Sequence, residues 1–438
     1  MSAGIIAQTT VVVAVVLLIG WLGRMLARLL RQPTVMGELA AGLAAVPILL
    51  AATNRGVLDD LLPAKVVSNL GIIGNAGLAL FLVGVAHELR GSLIGTRFSS
   101  LSWVTVGALV PPLASGVVVA GWLIAENDPA LRGNAPVAAF IMVIAVSLAI
   151  TAVPVLARIL SARKLTTSLP GRLSLSAAAV VDAIAWPLLA VAIGLASGKL
   201  SNAGVALLTL LAGAAISVAV RQVLRTEVAG RFAHSYPAVI AVLIGAAAIA
   251  SAMLVTSLGL SSVFGAFLVG LAVPGNIPPA KATDLPVVER PEGWALSVRW
   301  VTLLGLAFVP VFFVETGLEV FAKPFPSIPW VAIVVVIVLG MAGKLGGGYA
   351  GARLGGYSKI TSARVGALLN TRGLTEIVAL QAGFHAGILT APMFLVCLVM
   401  ALVTTSATGP LMNWTDRTQR RAIAATVPEA AVKSWSIV

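Results

Sequence analysis

Thirteen apolar stretches follow one another along this 438-residue chain and leave only short charged connections between them. A helix needs about 20 apolar residues to cross a hydrocarbon core that is ~30 Å thick. The chain is 59% hydrophobic and 10% charged, whereas roughly a quarter of the residues of a soluble domain are charged. The sequence therefore predicts an all-α, polytopic membrane protein with about 13 transmembrane helices. The predicted spans are 7–29, 34–51, 70–88, 102–125, 135–160, 172–197, 202–221, 237–256, 260–275, 300–319, 328–353, 363–386 and 391–413.

The basic residues are distributed unequally between the two sets of connections. Those that follow odd-numbered spans, together with the carboxyl tail, hold 22 of the 29 Lys and Arg residues. The other set holds five, and the remaining two, Lys344 and Arg372, lie within spans. Because basic residues favour the cytoplasmic side, we expect a multi-pass protein of the cell membrane with its amino terminus outside. The carboxyl terminus, with a short disordered tail at 415–438, is then cytoplasmic.

Composition and charge pattern argue against several other classes of protein. The net charge of +13 would suit a nucleic-acid partner, but the charges sit in ones to threes between apolar runs, as they do in membrane-protein loops. The single Cys397 and the three dispersed histidines provide no disulfide framework and no zinc or haem site. No P-loop motif occurs, so the sequence does not favour ATP-driven or enzymatic chemistry. No cofactor is predicted.

Two spans contain interruptions that a lipid-facing helix does not tolerate. Proline removes a helix hydrogen bond and clashes one turn back, and Pro154 lies in the middle of the fifth span, with the hydroxyl of Thr151 placed to compensate the freed backbone. The twelfth span contains a polar run: Asn370, Thr371, Arg372, Gly373 and Thr375. Matched interrupted helices indicate the binding site of an inverted-repeat transporter. An ordinary proline kink remains the alternative explanation of Pro154.

Asp182 is the strongest single candidate for an ion-binding residue. It lies about ten residues into the sixth span, with no basic neighbour in sequence. An ionisable side chain at mid-membrane costs ~2.5–3.5 kcal/mol or more, so such a residue indicates function. A buried carboxylate can hold either a proton or a monovalent cation, and that competition is the minimum chemistry of an antiporter. The alternative is a structural hydrogen bond to a neighbouring helix.

Other charges within spans have less certain roles. Lys344 either neutralises a carboxylate when the ion is absent or is structural. Gly343, Gly347, Gly351 and Gly355 recur every four residues around it and predict a close-packing helix face. Arg372 and Glu376 share a helix face, so we expect an internal pair that stabilises the broken helix. Glu38 and Glu315 are predicted structural partners near helix ends, and each is also a candidate second carboxylate.

Eight stretches in family order resemble one group of transporters over nearly the whole chain. They are PTVMGELAAGL, GLALFLVGVAHEL, SLAITAVPVLARIL, AAAVVDAIAW, GLSSVFGAFLVGL, FVPVFFVETGLEV, AGKLGG and LLNTRGLTEIVALQAG. The chain resembles the monovalent cation:proton antiporters of the second branch, which include plant cation/proton exchangers and bacterial potassium-efflux systems. The resemblance implies a homodimer with thirteen helices that works as an elevator.

The same resemblance assigns spans and residues to parts of that fold. Spans 1–3 and 8–10 would form the dimerisation part, spans 4–6 and 11–13 the core, and span 7 the linker. Asp182 matches the aspartate that binds a proton or a cation. Lys344 matches the basic residue of the core, and Thr151 and Thr371 match polar positions in the unwound segments.

Two departures from the family pattern bear on the transported ion. Val181 stands where the family usually has Asp or Asn, and Ala86 stands where it has Glu. A single carboxylate favours one-for-one, electroneutral exchange of Na+ or K+ for a proton. The loss of polarity also leaves open a proton-coupled exporter of an organic cation or small metabolite. A channel-like efflux protein or a non-transporting sensor is a third possibility.

Overall fold

The apolar stretches form helices throughout the described part of the chain. The structure, a computed structural model, describes residues 3–30, 32–53, 60–91, 98–196, 200–258, 261–274, 293–321 and 327–426. In chain order the helices are α1 (Ala3–Leu29), α2 (Thr34–Ala52), α3 (Ala64–Gly91), α4 (Phe98–Glu126), α5 (Pro129–Arg132), α6 (Val137–Ala149), α7 (Val153–Ala162), α8 (Leu169–Leu195), α9 (Leu200–Leu224), α10 (Glu227–Ser235), α11 (Pro237–Ser257), α12 (Ser262–Ala272), α13 (Gly293–Val320), α14 (Trp330–Met341), α15 (Gly347–Leu354), α16 (Lys359–Leu369), α17 (Leu374–His385) and α18 (Ala391–Thr426). A π-helical turn, Ala342–Gly346, joins α14 to α15.

The helix lengths match the predicted membrane protein. Among the described residues, ten helical segments are long and apolar enough to cross a membrane, the α6–α7 and α14–α15 pairs each counting as one. Two shorter apolar helices, Met36–Ala52 and Ser262–Ala272, lie at the second and ninth predicted spans. The pair α16 and α17 covers the twelfth. The predicted all-α, polytopic fold is confirmed.

The helices pack in two groups. In the first group, α13 lies along α3, while α1 packs on α2 and α12 packs on both α3 and α11. In the second, α4 packs against α6, α8 and α15, and α16 packs against α8, α15 and α18. Helix α9 contacts α8 of the second group and α12 of the first.

The predicted glycine face joins α15 to α4. A Cβ atom at Gly347 would lie 2.2 Å from the backbone oxygen of Gly107, and one at Gly351 would lie 2.4 Å from that of Trp103. Backbones can approach this closely only where the side chain is absent. The interpretation of the four-residue glycine repeat as a packing face is confirmed.

Three features differ from the sequence predictions. Helix α13 begins at Gly293 rather than at residue 300, because Trp294 and Val298 are buried in a cluster with Ile240 and Ile244. Helix α10 was not predicted, because its surface-exposed, charged sequence gives no hydropathy peak. Residues 415–426 continue α18 as helix rather than as a disordered tail, and 427–438 lie outside the described residues.

Candidate ion-binding site

The two predicted helix breaks meet inside the second group of helices. Helix α6 ends at Ala149 and α7 begins at Val153, while α16 ends at Leu369 and α17 begins at Leu374. The backbone N–H of Ala152 donates to the carbonyl oxygen of Thr371 at 3.1 Å. The hydroxyl of Thr151 donates to the carbonyl oxygen of Leu369 at 3.3 Å. The two unwound segments therefore satisfy part of each other's backbone, as buried irregular backbone requires.

Local sequence explains where each break falls. Pro154 lies in the first turn of α7, where its missing N–H costs nothing. It therefore starts a new helix rather than kinking a continuous one. Gly373 has φ 152° and ψ −131°, a conformation that favours glycine, and a Cβ atom there would lie 2.8 Å from Cγ2 of Val155. The expectation that the Thr151 hydroxyl compensates its own helix is wrong, because that hydroxyl bonds to the end of α16 instead.

Asp182 lies on α8 beside these breaks and is fully buried. Neither carboxylate oxygen has a hydrogen bond of normal geometry to a described residue. The backbone of Thr151 and the ammonium of Lys344 are nevertheless close enough to interact with the carboxylate electrostatically. An uncompensated buried carboxylate is costly, which is the condition under which a proton or a cation binds well.

Further oxygens near the second break are buried without a partner among the described residues. They are Oγ1 of Thr371, Oγ1 of Thr375 and Oδ1 of Asn370. The amide of Asn370 is fixed by donating to the carbonyl oxygen of Thr404 at 2.9 Å. Oxygens of unwound helices are the groups that coordinate alkali cations in broken-helix transporters. The chemistry of this donor set fits a monovalent cation.

Lys344 points its ammonium group at the end of α6 and lies in the π-helical turn. Its Nζ donates to the carbonyl oxygen of Ala149, to that of Ala108 at 3.2 Å and to Oγ1 of Thr151 at 2.6 Å. It forms no ion pair within 4.0 Å in the described part of the chain. Lys344 therefore caps a helix terminus and holds Thr151, which favours the structural alternative over direct neutralisation of Asp182.

Arg372 caps the same helix end from the other break. Its guanidinium donates to the carbonyl oxygens of Ser147 and Leu148, both at 2.7 Å, and lies 3.2 Å from Oε1 of Glu376. The pair with Glu376 is fully buried, as the i, i+4 spacing predicted. Two cations thus lie at the carboxyl end of α6, where the orphan carbonyls and the helix dipole favour positive charge.

The four buried charges at the breaks balance formally when all are ionised. Lys344 and Arg372 contribute two positive charges, and Asp182 and Glu376 contribute two negative ones, each side chain being fully buried. A proton or one monovalent cation on Asp182 changes this sum by the same single charge. The formal charge of the site is therefore the same whether Asp182 holds a proton or a monovalent cation.

Glu315 and Glu38 lie apart from the breaks. Oε2 of Glu315 accepts a hydrogen bond from Gln381 at 3.3 Å, and Glu319 one turn later pairs with His385 at 2.5 Å. Glu315, Glu319 and His385 line a cavity of about 1120 Å³ between α3, α11, α13 and α17. Glu38 pairs with Arg24 at 3.4 Å near the start of α2. Both glutamates thus have structural partners, as predicted.

Comparison with known proteins identifies the group to which this arrangement belongs. The family model described as sodium/hydrogen exchanger, transmembrane, matches residues 13–414. The chain belongs to the sodium/hydrogen exchanger family. The family resemblance predicted from the sequence motifs is confirmed, and the family is one of transporters rather than enzymes.

Individual relatives cover nearly the whole chain. Cation/H(+) antiporter 18 of Arabidopsis thaliana is 30% identical over 407 residues, which is 91% of this chain and 47% of the relative. The chain thus spans about half the length of that relative. Na(+)/H(+) antiporter NhaS4 of Synechocystis is 28% identical over 419 residues, 93% of this chain and 96% of the relative. The solved sodium proton antiporter MjNhaP1 of Methanocaldococcus jannaschii has a TM-score of 0.59 at 16% identity, over 94% of this chain and 97% of that one. This likeness shows the exchanger fold.

Several contacts of the candidate site were not predicted. Thr405 accepts a hydrogen bond from the N–H of Arg372 at 2.7 Å and donates to its carbonyl oxygen at 2.9 Å. Thr404 and Thr405 are adjacent hydroxyl residues in an otherwise apolar span. This was the sequence feature that could have predicted the contact. Glu319 and His385 were missed as well, although the four-residue spacing of Glu315 and Glu319 places both on one helix face.

Proposed function

We propose that the chain is a secondary active antiporter that exchanges Na+ or K+ for protons at Asp182. The observation that carries this proposal is the burial of Asp182 beside two broken helices, with both carboxylate oxygens free of hydrogen bonds to described residues. A proton and a cation compete for the same oxygens, so one ligand leaves as the other binds. Thr151 and Thr371 would supply further oxygens to the cation.

The printed names of the relatives support cation/proton exchange and leave the cation open. The Synechocystis and Enterococcus hirae relatives are named Na(+)/H(+) antiporters, and a Saccharomyces cerevisiae relative is named K(+)/H(+) antiporter 1. The identities are 28%, 25% and 27% respectively. Neither cation is favoured by these values, so both belong to the proposal.

The exchange would be electroneutral. Val181 precedes Asp182, so one carboxylate carries the exchange, and Lys344 and Arg372 remain bound to backbone carbonyls. The formal charge of the site is then the same with a proton as with a monovalent cation. A transport cycle that alternates these two states moves no net charge.

The movement would be of the elevator type in a homodimer. The first group of packed helices, spans 1–3 and 8–10, would be the dimerisation part, and spans 4–6 and 11–13 would be the moving core. Helix α9, which touches both groups, would be the linker. The positive-inside distribution supports a cell-membrane location with the amino terminus outside and the carboxyl terminus cytoplasmic.

The test is exchange by the purified chain in liposomes, followed with an internal pH dye as Li+, Na+, K+ or Rb+ is added. We expect exchange by the wild type and loss of exchange in Asp182→Asn, which keeps the side chain's size and removes its charge. Glu227→Gln, which changes an exposed carboxylate of α10, is the matched control. Equal exchange rates in Asp182→Asn and wild type would reject Asp182 as the site.

A proton-coupled exporter of an organic cation is the second candidate. The cavity of about 1120 Å³ beside Glu315 and Glu319 favours it, because it exceeds the volume that an alkali ion needs. Thermal melting in the presence of alkali ions and of organic amines separates the two functions. Stabilisation by amines alone would favour the exporter, and stabilisation by Na+ or K+ that Asp182→Asn abolishes would favour cation exchange.

A further inference from the structure

A long apolar groove lies between α9 and α11. Both helices pack against α12 rather than extensively against each other, and α12 is only 11 residues long. The short helix leaves a cavity of about 740 Å³, lined along α9 from Thr209 to Leu224 and along α11 from Ile240 to Val255, with Leu258 just beyond the helix end. At 1.5 Å per residue, the lining of α9 extends roughly 22 Å. One leaflet is about half of a ~30 Å hydrocarbon core, so the groove is longer than one leaflet is thick.

The two serines that line the groove already donate hydrogen bonds within the protein. The hydroxyl of Ser217 donates to the carbonyl oxygens of Gly213 and Leu268, at 2.8 and 2.9 Å. The hydroxyl of Ser251 donates to the carbonyl oxygen of Gly265 at 3.0 Å. The remaining lining is mainly aliphatic. The groove therefore offers an apolar surface that fits a hydrocarbon chain better than a polar solute.

One end of the groove carries two arginines. Val220 and Leu224 line the groove, and Arg221, one residue after Val220 and three before Leu224, stands at its edge. Arg225 follows one helical turn later and interacts electrostatically with Arg221. Nε of Arg221 is buried without a partner among the described residues, and neither arginine has an ion pair there. The nearby Glu227 is paired with Arg231 instead.

The same end has the aromatic residue expected at a membrane interface. Trp294 lines the groove and packs in one cluster with Leu224 and with Ala229 of α10. Tryptophan is enriched where hydrocarbon meets the headgroup layer. The same end of α9 carries Arg221 and Arg225, so the two arginines are expected to reach the headgroup layer, and arginine binds phosphate in a bidentate manner.

We propose that this groove binds an anionic glycerophospholipid. One acyl chain would lie along α9 and α11, and the headgroup phosphate would accept hydrogen bonds from Arg221 and Arg225. Charge complementarity selects this occupant, because a second copy of the chain or a neutral lipid would leave the two arginines without a counter-charge. Phosphatidylglycerol keeps the net negative charge of its phosphate, whereas the choline ammonium of phosphatidylcholine offsets it, so the two lipids at equal chain length differ in net headgroup charge.

The experiment measures thermal melting of the delipidated full chain in detergent against increasing phosphatidylglycerol or phosphatidylcholine. We expect phosphatidylglycerol to raise the melting temperature at concentrations at least tenfold lower than phosphatidylcholine. Arg221→Gln with Arg225→Gln should remove that difference. Arg172→Gln with Lys359→Gln, which removes the same number of positive charges at two exposed positions, should retain it.

A second variant tests the groove itself. Ala247→Trp fills the groove from α11 without changing charge, and we expect it to weaken the phosphatidylglycerol effect at least fivefold. Each arginine is also changed singly, so that failure of the double variant to fold does not end the test. Equal responses to the two lipids, or an unchanged response in the arginine variants, would overturn the proposal. So would a shift of mass from dimer to monomer in Ala247→Trp with lipid binding retained, since a second copy would then cover the groove.

Discussion

The ammonium of Lys344 lies 2.6 Å from the hydroxyl of Thr151. This contact joins the π-helical turn after α14 to the first helix break, and the same hydroxyl donates onward to the end of α16. Three separate segments of the chain are thus connected through one side chain next to Asp182. The contact makes Lys344 a support of the unwound segment rather than a direct counter-ion.

Replacement of Lys344 by Met is expected to destabilise the protein. The carbonyl oxygens of Ala149 and Ala108 would lose their donor, and each orphaned buried acceptor costs ~1–3 kcal/mol. The melting temperature should fall, whereas Lys359→Met at an exposed position should leave it unchanged. Loss of exchange with an unchanged melting temperature would contradict the structural role and assign Lys344 to ion exchange itself.

The pair of Arg372 and Glu376 is expected to behave non-additively. Arg372→Met leaves Glu376 as an unpaired buried charge, and breaking such a pair costs ~3–5 kcal/mol. Adding Glu376→Gln should recover part of this loss, although the carbonyl oxygens of Ser147 and Leu148 stay unbonded. A double-mutant cycle on melting temperatures measures the coupling. Additivity of the two single effects within ~0.5 kcal/mol would mean that the pair is not coupled.

The packing of α15 on α4 is expected to be sensitive to a single methyl group. A Cβ atom at Gly347 would lie 2.2 Å from the backbone oxygen of Gly107, so Gly347→Ala should cost ~1–3 kcal/mol. Gly346→Ala is the matched control, because no atom lies within 4 Å of its Cβ position. Denaturation monitored by melting temperature should separate the two variants. Equal stability of both would show that the helices do not approach as closely as described.

Replacement of Glu315 is expected to leave the number of protons exchanged per cation unchanged. Its hydrogen-bond partner is Gln381 at the large cavity, and Glu315→Gln keeps an oxygen that can accept this bond. An imposed membrane potential should leave the exchange rate unchanged, both in this variant and in the wild type. Wild-type exchange that depends on the potential, and loses this dependence in Glu315→Gln, would make Glu315 a second transported charge.

Much of the fold was predictable because membrane helices are long and their interruptions are chemically distinctive. Pro154 and the polar run that ends at Gly373 located both breaks, and burial of a charge singled out Asp182. The helix α10 was missed because a short, exposed and charged helix has no hydropathy peak.

The contacts within the site were less predictable than its residues. The acceptors of Lys344 are the carbonyl oxygens of Ala108 within α4 and of Ala149 at the end of α6. Pro112 has no N–H for the carbonyl oxygen of Ala108, which the sequence could have indicated, but no side-chain pattern shows that Lys344 reaches either oxygen. The π-helical turn that places Lys344 follows a sequence that also suits an α-helix. Both depend on packing between segments that are far apart in the chain.

Proton release on cation binding tests the central claim about Asp182 most directly. The purified chain is held in a weakly buffered solution near neutral pH, and the protons released are counted as Na+ or K+ is added. We predict up to one proton per chain for the wild type and for Glu227→Gln, none for Asp182→Asn, and a smaller release at alkaline pH, where the carboxylate is already deprotonated. Undiminished release from Asp182→Asn, or two protons per chain from the wild type, would contradict exchange at a single carboxylate.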